Sequence, residues 1–370
     1  MKSCARLIEY MVLFGFSVLS VIAPTAAQCR ELEWVKVSED KRSFVLEKSG
    51  ETFVPWGFNY DHDREGRLLE DYWDSEWDTV EQDFHEMKQL GANVVRIHIQ
   101  VGKFMKGPNE PNKESLEQLV RLVSLAEQLQ LYLDITGLGC YHKKDVPQWY
   151  DKLPEQQRWD VQGRFWKAIA QRCAASPVIF CYDLMNEPVV SGGGKRTDWL
   201  GPAFAGKHFV QFISLEQAGR ARTAIAVQWI KRLSAAIRKY DDRHLITVGL
   251  VPWSLERKGL TSGFVPERVA GELDFISVHI YPERAKLTEA IETLAGFCVG
   301  KPVVIEEMFP LKCSCDELER FIEDSRRYAC GWIGFYWGKT PEECRRSDRI
   351  GDALTLGWLE LFEKRTVPPK

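Results

Sequence analysis

The sequence predicts an α/β protein, a single (β/α)8 TIM barrel opened by a short N-terminal hairpin. Short apolar runs alternate with amphipathic stretches eight times between Phe53 and Phe362, the pattern of parallel strands joined by right-handed crossovers. No Gly-x-Gly-x-x-Gly follows the first run, which argues against an open dinucleotide-binding sheet. Polar residues collect at the C-terminal ends of the apolar runs, where a barrel builds its site.

Taken in order, the chain starts with a targeting pattern. Lys2 and Arg6 precede an apolar run from Tyr10 to Ile22, and small residues from Ala23 to Ala27 suit cleavage before Gln28. The expectation is a signal peptide over residues 1–27, a barrel domain over 28–370, and a secreted or periplasmic protein with no membrane attachment after cleavage. The run is short for a spanning anchor, and Gln28 is a poor neighbour for lipidation at Cys29. Trp34 to Glu51 alternates around a turn at Ser38 to Arg42 and reads as the hairpin, a lid over the barrel floor. The predicted strands are Phe53–Asn59, Asn93–Ile99, Leu131–Gly137, Val178–Asn186, His244–Val251, Phe275–Tyr281, Val303–Glu307 and Trp332–Trp337. Helical periodicity fills the gaps over Thr79–Leu90, Ser115–Leu129, Arg164–Cys173, Ala218–Tyr240, Leu287–Cys298, Asp316–Ala329 and Leu354–Phe362. After strand five there is room only for a short helix between Pro266 and Gly271.

Composition fits one packed domain. Hydrophobic residues make up 45% of 370 residues, so disorder is excluded. The net charge of −4 without a long basic run leaves no footprint for nucleic acid. Ten cysteines, one of them Cys4 in the leader, leave nine in the mature chain, so at least one is unpaired or pairs between chains. Cys313, Cys315, Cys330 and Cys344 are expected to form one or two bridges, and Cys173 and Cys181 to be buried as small apolar groups. Cys313-Ser314-Cys315 lacks zinc spacing. No metal or organic cofactor is expected, and the chain is expected to be a monomer.

The strand ends form a consistent set. Strand one ends in Asn59, strand two in Arg96 and His98, strand four in Asn186-Glu187, strand six in His279 and Tyr281, strand seven in Glu306-Glu307, and strand eight in Trp337. Side chains alternate along a strand, so Arg96 shares a face with His98, and His279 with Tyr281. Two carboxylates across one cavity are what glycosidic cleavage needs: one protonates the leaving oxygen, and the other attacks the anomeric carbon or activates water. Arg96 would keep the attacking carboxylate ionised, Tyr281 would donate to it, Asn186 would hold a sugar 2-hydroxyl, and Trp337 would floor the subsite, with Asn59, His98 and His279 also expected to bind the substrate.

These residues sit in recognisable motifs. Asp183-Leu184-Met185-Asn186-Glu187-Pro188, Lys301-Pro302-Val303-Val304-Ile305-Glu306-Glu307-Met308, Asn93-Val94-Val95-Arg96-Ile97, Ser277-Val278-His279-Ile280-Tyr281-Pro282 and Trp332 to Trp337 stand in order. Together they resemble glycoside hydrolase family 5 or a close relative in its clan of retaining barrels, over roughly Trp34 to Phe362. The resemblance implies Glu187 as acid/base and Glu307 as nucleophile, a covalent glycosyl-enzyme, and no cofactor. Two departures bear on substrate. Thr136 stands in Asp134-Ile135-Thr136-Gly137 where the family often has His, and Met308 follows the nucleophile where an aromatic is common.

The remaining polar residues have plainer readings. Glu306 should face the helices, because alternation lets only one of the two glutamates face inward. His244, at the opposite end of the barrel, reads as structural, and Asp61-His62-Asp63 as a solvated loop. Half of Trp56, Trp73, Trp77, Trp149, Trp199 and Trp253 should line the cleft. Val189 to Leu215, with Gly192-Gly193-Gly194, is a long insertion expected to shape one side of it. The substrate expected is a β-linked oligo- or polysaccharide, β-1,4-glucan or mannan cut in endo fashion. The alternatives are exo action (a β-glucosidase or β-1,3-glucanase), transglycosylation and a non-catalytic glycan-binding barrel.

Overall fold

The computed structural model describes residues 32–257, 261–335 and 337–365. The expected signal peptide, Cys4 and Cys29 lie outside the described residues. Eight strands close into a parallel barrel: Trp56–Tyr60, Val94–Gln100, Tyr132–Gly139, Ile179–Asn186, Leu245–Leu250, Ile276–His279, Val303–Glu307 and Gly331–Gly334. Strand eight pairs with strand one through Trp332 and Trp56. All eight expected strands are present, with ends shifted by a few residues.

Amphipathic helices wrap the barrel because each carries one apolar stripe. Lys113–Leu129 buries Leu116, Leu119, Leu122, Val123 and Ala126, the residues its periodicity marks. Glu155–Cys173 starts nine residues before the sequence suggested, directly after Pro154. Cys315–Ser325 begins at a capping box: Ser314 Oγ accepts from Glu317 N at 3.1 Å, and the Glu317 carboxylate accepts from Ser314 N at 2.9 Å. After strand five the chain makes only the short helix Pro266–Val269.

The N-terminal hairpin is larger than expected. Val35–Val37, Phe44–Leu46 and Thr52–Phe53 form a three-stranded antiparallel sheet. Phe53 therefore belongs to this sheet and not to strand one. Val35, Phe44 and Phe53 pack up into the barrel against Phe180, Phe275, Val304 and Ile333, so the sheet closes the floor. All eight described cysteines are free, so the bridges expected near the C-terminus are not formed. No helix among the described residues is long and apolar enough to cross a membrane.

Candidate active site

The site grows from breaks in strand alternation. Register shifts occur between His98 and Gln100, between Thr247 and Gly249, and opposite Val278/His279, where Ile305 and Glu307 are the paired residues. Bulges of this kind re-aim side chains at barrel rims. The last one leaves Glu306 as an extra residue. Glu306 is consequently not on the helix side, as strict alternation required, but fully buried inside the barrel under Glu307.

Arg96 is the hub. Its Nη1 donates to Glu307 Oε1 at 2.7 Å and to Asn59 Oδ1 at 2.8 Å. Its Nη2 donates to Asp183 Oδ2 at 2.7 Å and Asn186 Oδ1 at 3.0 Å, and lies 3.5 Å from Glu306. Tyr281 OH donates to the other Glu307 oxygen at 2.6 Å. Burial pushes the Glu307 carboxyl above the usual range, while His279 and Arg96 pull it down. His279 sits between three carboxylates, 3.1 Å from Glu187, 3.3 Å from Glu306 and 3.5 Å from Glu307. Burial opposes its charge, but Glu307 and hydrogen bonds to Glu187 and Glu306 outweigh that and raise it to about 10. Both ring nitrogens therefore donate at neutral pH.

Beneath lies a carboxyl pair that the sequence did not single out. Asp134 is fully buried, and neither of its oxygens nor Glu306 Oε1 has a hydrogen-bond partner among the described residues. Burial and the Glu306 charge push the Asp134 carboxyl far above its ordinary range, which favours its neutral, protonated form beside the Glu306 carboxylate. Burial opposes the Glu306 charge too, yet Arg96 and His279 hold it at about 2. Thr136 donates to Asp183 at 2.8 Å, so the Thr at the family's usual His position caps a buried carboxylate. A side chain at Gly249 would meet His279, Glu306 and Arg96 within 2.9–3.1 Å, so only glycine lets the cluster close.

Glu187 caps strand four with φ of 45°, a left-handed conformation costly for a non-glycine residue. It is held there by Glu187 N donating to Gly249 O at 3.0 Å and Gln211 N donating to Glu187 O at 3.3 Å. Single ligand atoms of Glu187, His279 and Glu307 lie within 4.8 Å of one another. By distance they could hold a cation, but Arg96 and Tyr281 already serve both oxygens of Glu307.

Of the expected binding residues, Glu187, Tyr281 and Glu307 line a cavity of about 450 Å3. Asn59, Arg96, His98, Asn186 and His279 are buried below it. Asn59 gives its amide to Glu306 O and Gly334 O and its oxygen to Arg96 and His98. His98 is held by Tyr141 at 2.7 Å. Both pack directly on Arg96, whose Nη1 lies 2.8 Å from Asn59 Oδ1 and 3.4 Å from His98 Nε2. Trp337 does not floor the subsite: it is fully buried, edge-on to Phe58. None of the six named loop tryptophans lines the cavity; its aromatic wall is Phe204, Phe209, Phe309, Phe335 and Tyr281. Asp61 is fully buried against His62 and not solvated. His244 is structural, between Asp241 and Ser176 O. The insertion after strand four does line the cavity, from Pro202 to Val210.

Residues 47–339 match the family profile described as Cellulase (glycosyl hydrolase family 5). The chain belongs to glycosyl hydrolase family 5. Mannan endo-1,4-beta-mannosidase A of Hypocrea jecorina is 25% identical over 226 residues, 52% of this chain and 44% of that protein, so the chain spans under half of that curated relative. Among solved structures, the exo-beta-1,4-mannosidase Op5Man5 from Opitutaceae bacterium strain TAV5 superposes with a TM-score of 0.67 at 17% identity, covering 90% of this chain and 62% of that one. A GH5_18 variant from Streptomyces cattleya in complex with Manβ1-4GlcNAc gives 0.62 at 14%, covering 86% and 82%. At these identities the structures show the shared barrel.

Proposed function

We propose that this family 5 protein hydrolyses β-1,4-linked mannosides with retention of configuration, using Glu307 as nucleophile and Glu187 as acid/base. The observation that carries the mechanism is the carboxylate spacing. Oxygens of Glu187 and Glu307 lie within 4.8 Å, near the roughly 5–5.5 Å of retaining enzymes and short of the roughly 6.5–9.5 Å that leaves room for an attacking water. The mannosyl preference over glucan rests on the names of the relatives.

Each residue then has a step. A Glu307 oxygen bonds to the anomeric carbon while Glu187 gives its proton to the departing oxygen. Tyr281 and Arg96 fix the Glu307 oxygens, so the attacking atom needs no reorganisation. The Glu187 carboxylate formed accepts from charged His279. Glu187 next takes a proton from water, the water oxygen bonds to the anomeric carbon, and Glu307 leaves as a carboxylate. Proton NMR of the first product from an aryl β-mannoside tests this: the β-anomer is expected before mutarotation, and the α-anomer would overturn the retaining mechanism.

A further inference from the structure

The half of the barrel mouth above strands eight, one and three is crossed by one hairpin, the tip of the insertion after strand four. Gly201 N donates to Val210 O at 2.8 Å, and Phe204 and Lys207 exchange backbone hydrogen bonds at 2.8 and 3.0 Å. Ala205 and Gly206 at the turn have φ of 47° and 82°, both positive as a type I′ hairpin demands. The hairpin is pinned at its far side. His208 N donates to Tyr141 O at 2.8 Å, and the Phe209 ring packs on Tyr141 at 5.4 Å and Phe335 at 6.2 Å.

The turn places two residues at the cavity at different depths. Phe204, 65% exposed, stands at its rim, whereas Lys207, 4% exposed, lines it with His62. The Lys207 ammonium lies over the Phe209 ring at 5.8 Å, with Asp61 and Asp63 as charged neighbours. A cation held by a ring and by charges at longer range keeps its N–H donors available to a ligand in the cavity it lines. The cavity that Glu307 lines is walled on one side by this hairpin. The acid Glu187 leans the other way, towards His279 of strand six. On that side a separate groove of about 250 Å3 runs past Tyr281, lined by Pro252, Ile280 and Glu283.

We infer that the 201–210 hairpin ends the cleft on the glycone side and that Lys207 donates to a hydroxyl of the non-reducing terminal sugar, so that the enzyme removes units from chain ends. This turns the endo action expected from sequence into exo action, and it rests on the retaining β-glycosidase reading above. The test uses β-1,4-mannohexaose and cellohexaose, each labelled at the reducing end. Expected is a labelled series shortening one sugar at a time with release of unlabelled monosaccharide. Short labelled fragments at the first time points would overturn the inference and leave the glycosidase standing; no cleavage of either would sink both. Lys207→Met should raise KM for the cleaved hexaose about tenfold or more while changing kcat far less, as loss of a charged hydrogen bond in binding does. Lys207→Arg should recover part of it. An unchanged KM in a folded Lys207→Met protein would remove Lys207 from the argument. Replacing Phe204–Lys207 by two glycines should bring out internal cleavage; continued strict end-wise release by that folded variant would overturn the hairpin's role.

Discussion

The floor and the mouth of this barrel are made by the same strands and obey opposite rules. Phe180 and Val304 face the floor, where Phe44 packs edge-on against Phe180 and Phe275 at 5.1 and 5.2 Å. Three and two residues further on, the same strands carry Asp183 and Glu306 into a cluster with Arg96, Asp134, Glu307 and His279. Burying apolar surface stabilises, at roughly 25 cal/mol per Å2. Burying charges costs, even when they are paired. The floor thus carries stability for a mouth that lowers it.

The largest expected break is at the mouth. Glu187→Gln should cut kcat by about 10²–10⁴-fold, the usual worth of a general acid–base, and Glu307→Gln should cut it at least as far. Neither should unfold the protein. The sign for Glu307 follows from its raised pKa: its contribution to stability is fullest at acid pH, where it is protonated, and is lost as pH rises through the folded value. Glu307→Gln should therefore melt closer to, or above, wild type at pH 8 than at pH 4. A variant that lost stability preferentially at high pH would contradict the placement of Glu307 in a desolvated site.

At the floor the outcome should reverse. Phe44→Ala should destabilise by about 3–5 kcal/mol, the cost of a large buried aromatic, with kcat per folded molecule unchanged. Denaturant unfolding together with active-site titration would show it, and a kcat loss in the folded fraction would couple the two ends.

The same contrast explains what could be read in advance. The floor and the strands follow period two, so all eight strands and the helix faces were legible. So were Arg96, Glu187, His279, Tyr281 and Glu307, since ionisable residues at the ends of apolar runs have little reason to be there otherwise. The mouth departs from period two at its bulges. Period two puts Glu306 on the helix side, and the bulge turns it inward. Asp134 and Asp183 carried the signal of an acid within an apolar strand, but it was not used. Trp337, Asn59 and His98 are fully buried, a depth that residue type alone does not reveal. Lys207 was out of reach, because its direction is set by a hairpin turn twenty residues beyond the strand.

Within the buried cluster, the proton assignment can be sharpened. Asp134→Asn keeps a donor towards Glu306, so it should alter stability by less than about 1 kcal/mol. Glu306→Gln removes a charge facing Arg96 and His279 and should cost about 3–5 kcal/mol. The Glu306 contribution should be present above the ordinary carboxylate pKa and fade only as pH falls towards about 2. If Asp134→Asn proved the costlier change, the proton would reside on Glu306.

The smallest effects compare one turn from each end. Lys41 in the floor sheet and Ala205 in the mouth hairpin both have positive φ, 58° and 47°. Glycine relieves roughly 1–2 kcal/mol of left-handed strain and loses about 0.5–1 kcal/mol through added freedom of the unfolded chain. Lys41→Gly and Ala205→Gly should thus each stabilise by under about 1 kcal/mol, a small rise in melting temperature. Only the second should move KM, because Lys207 hangs from that turn while Lys41 lies at the opposite end of the barrel. Equal effects on KM would mean that turn strain is felt through the whole fold, and the division between floor and mouth would not hold at this scale.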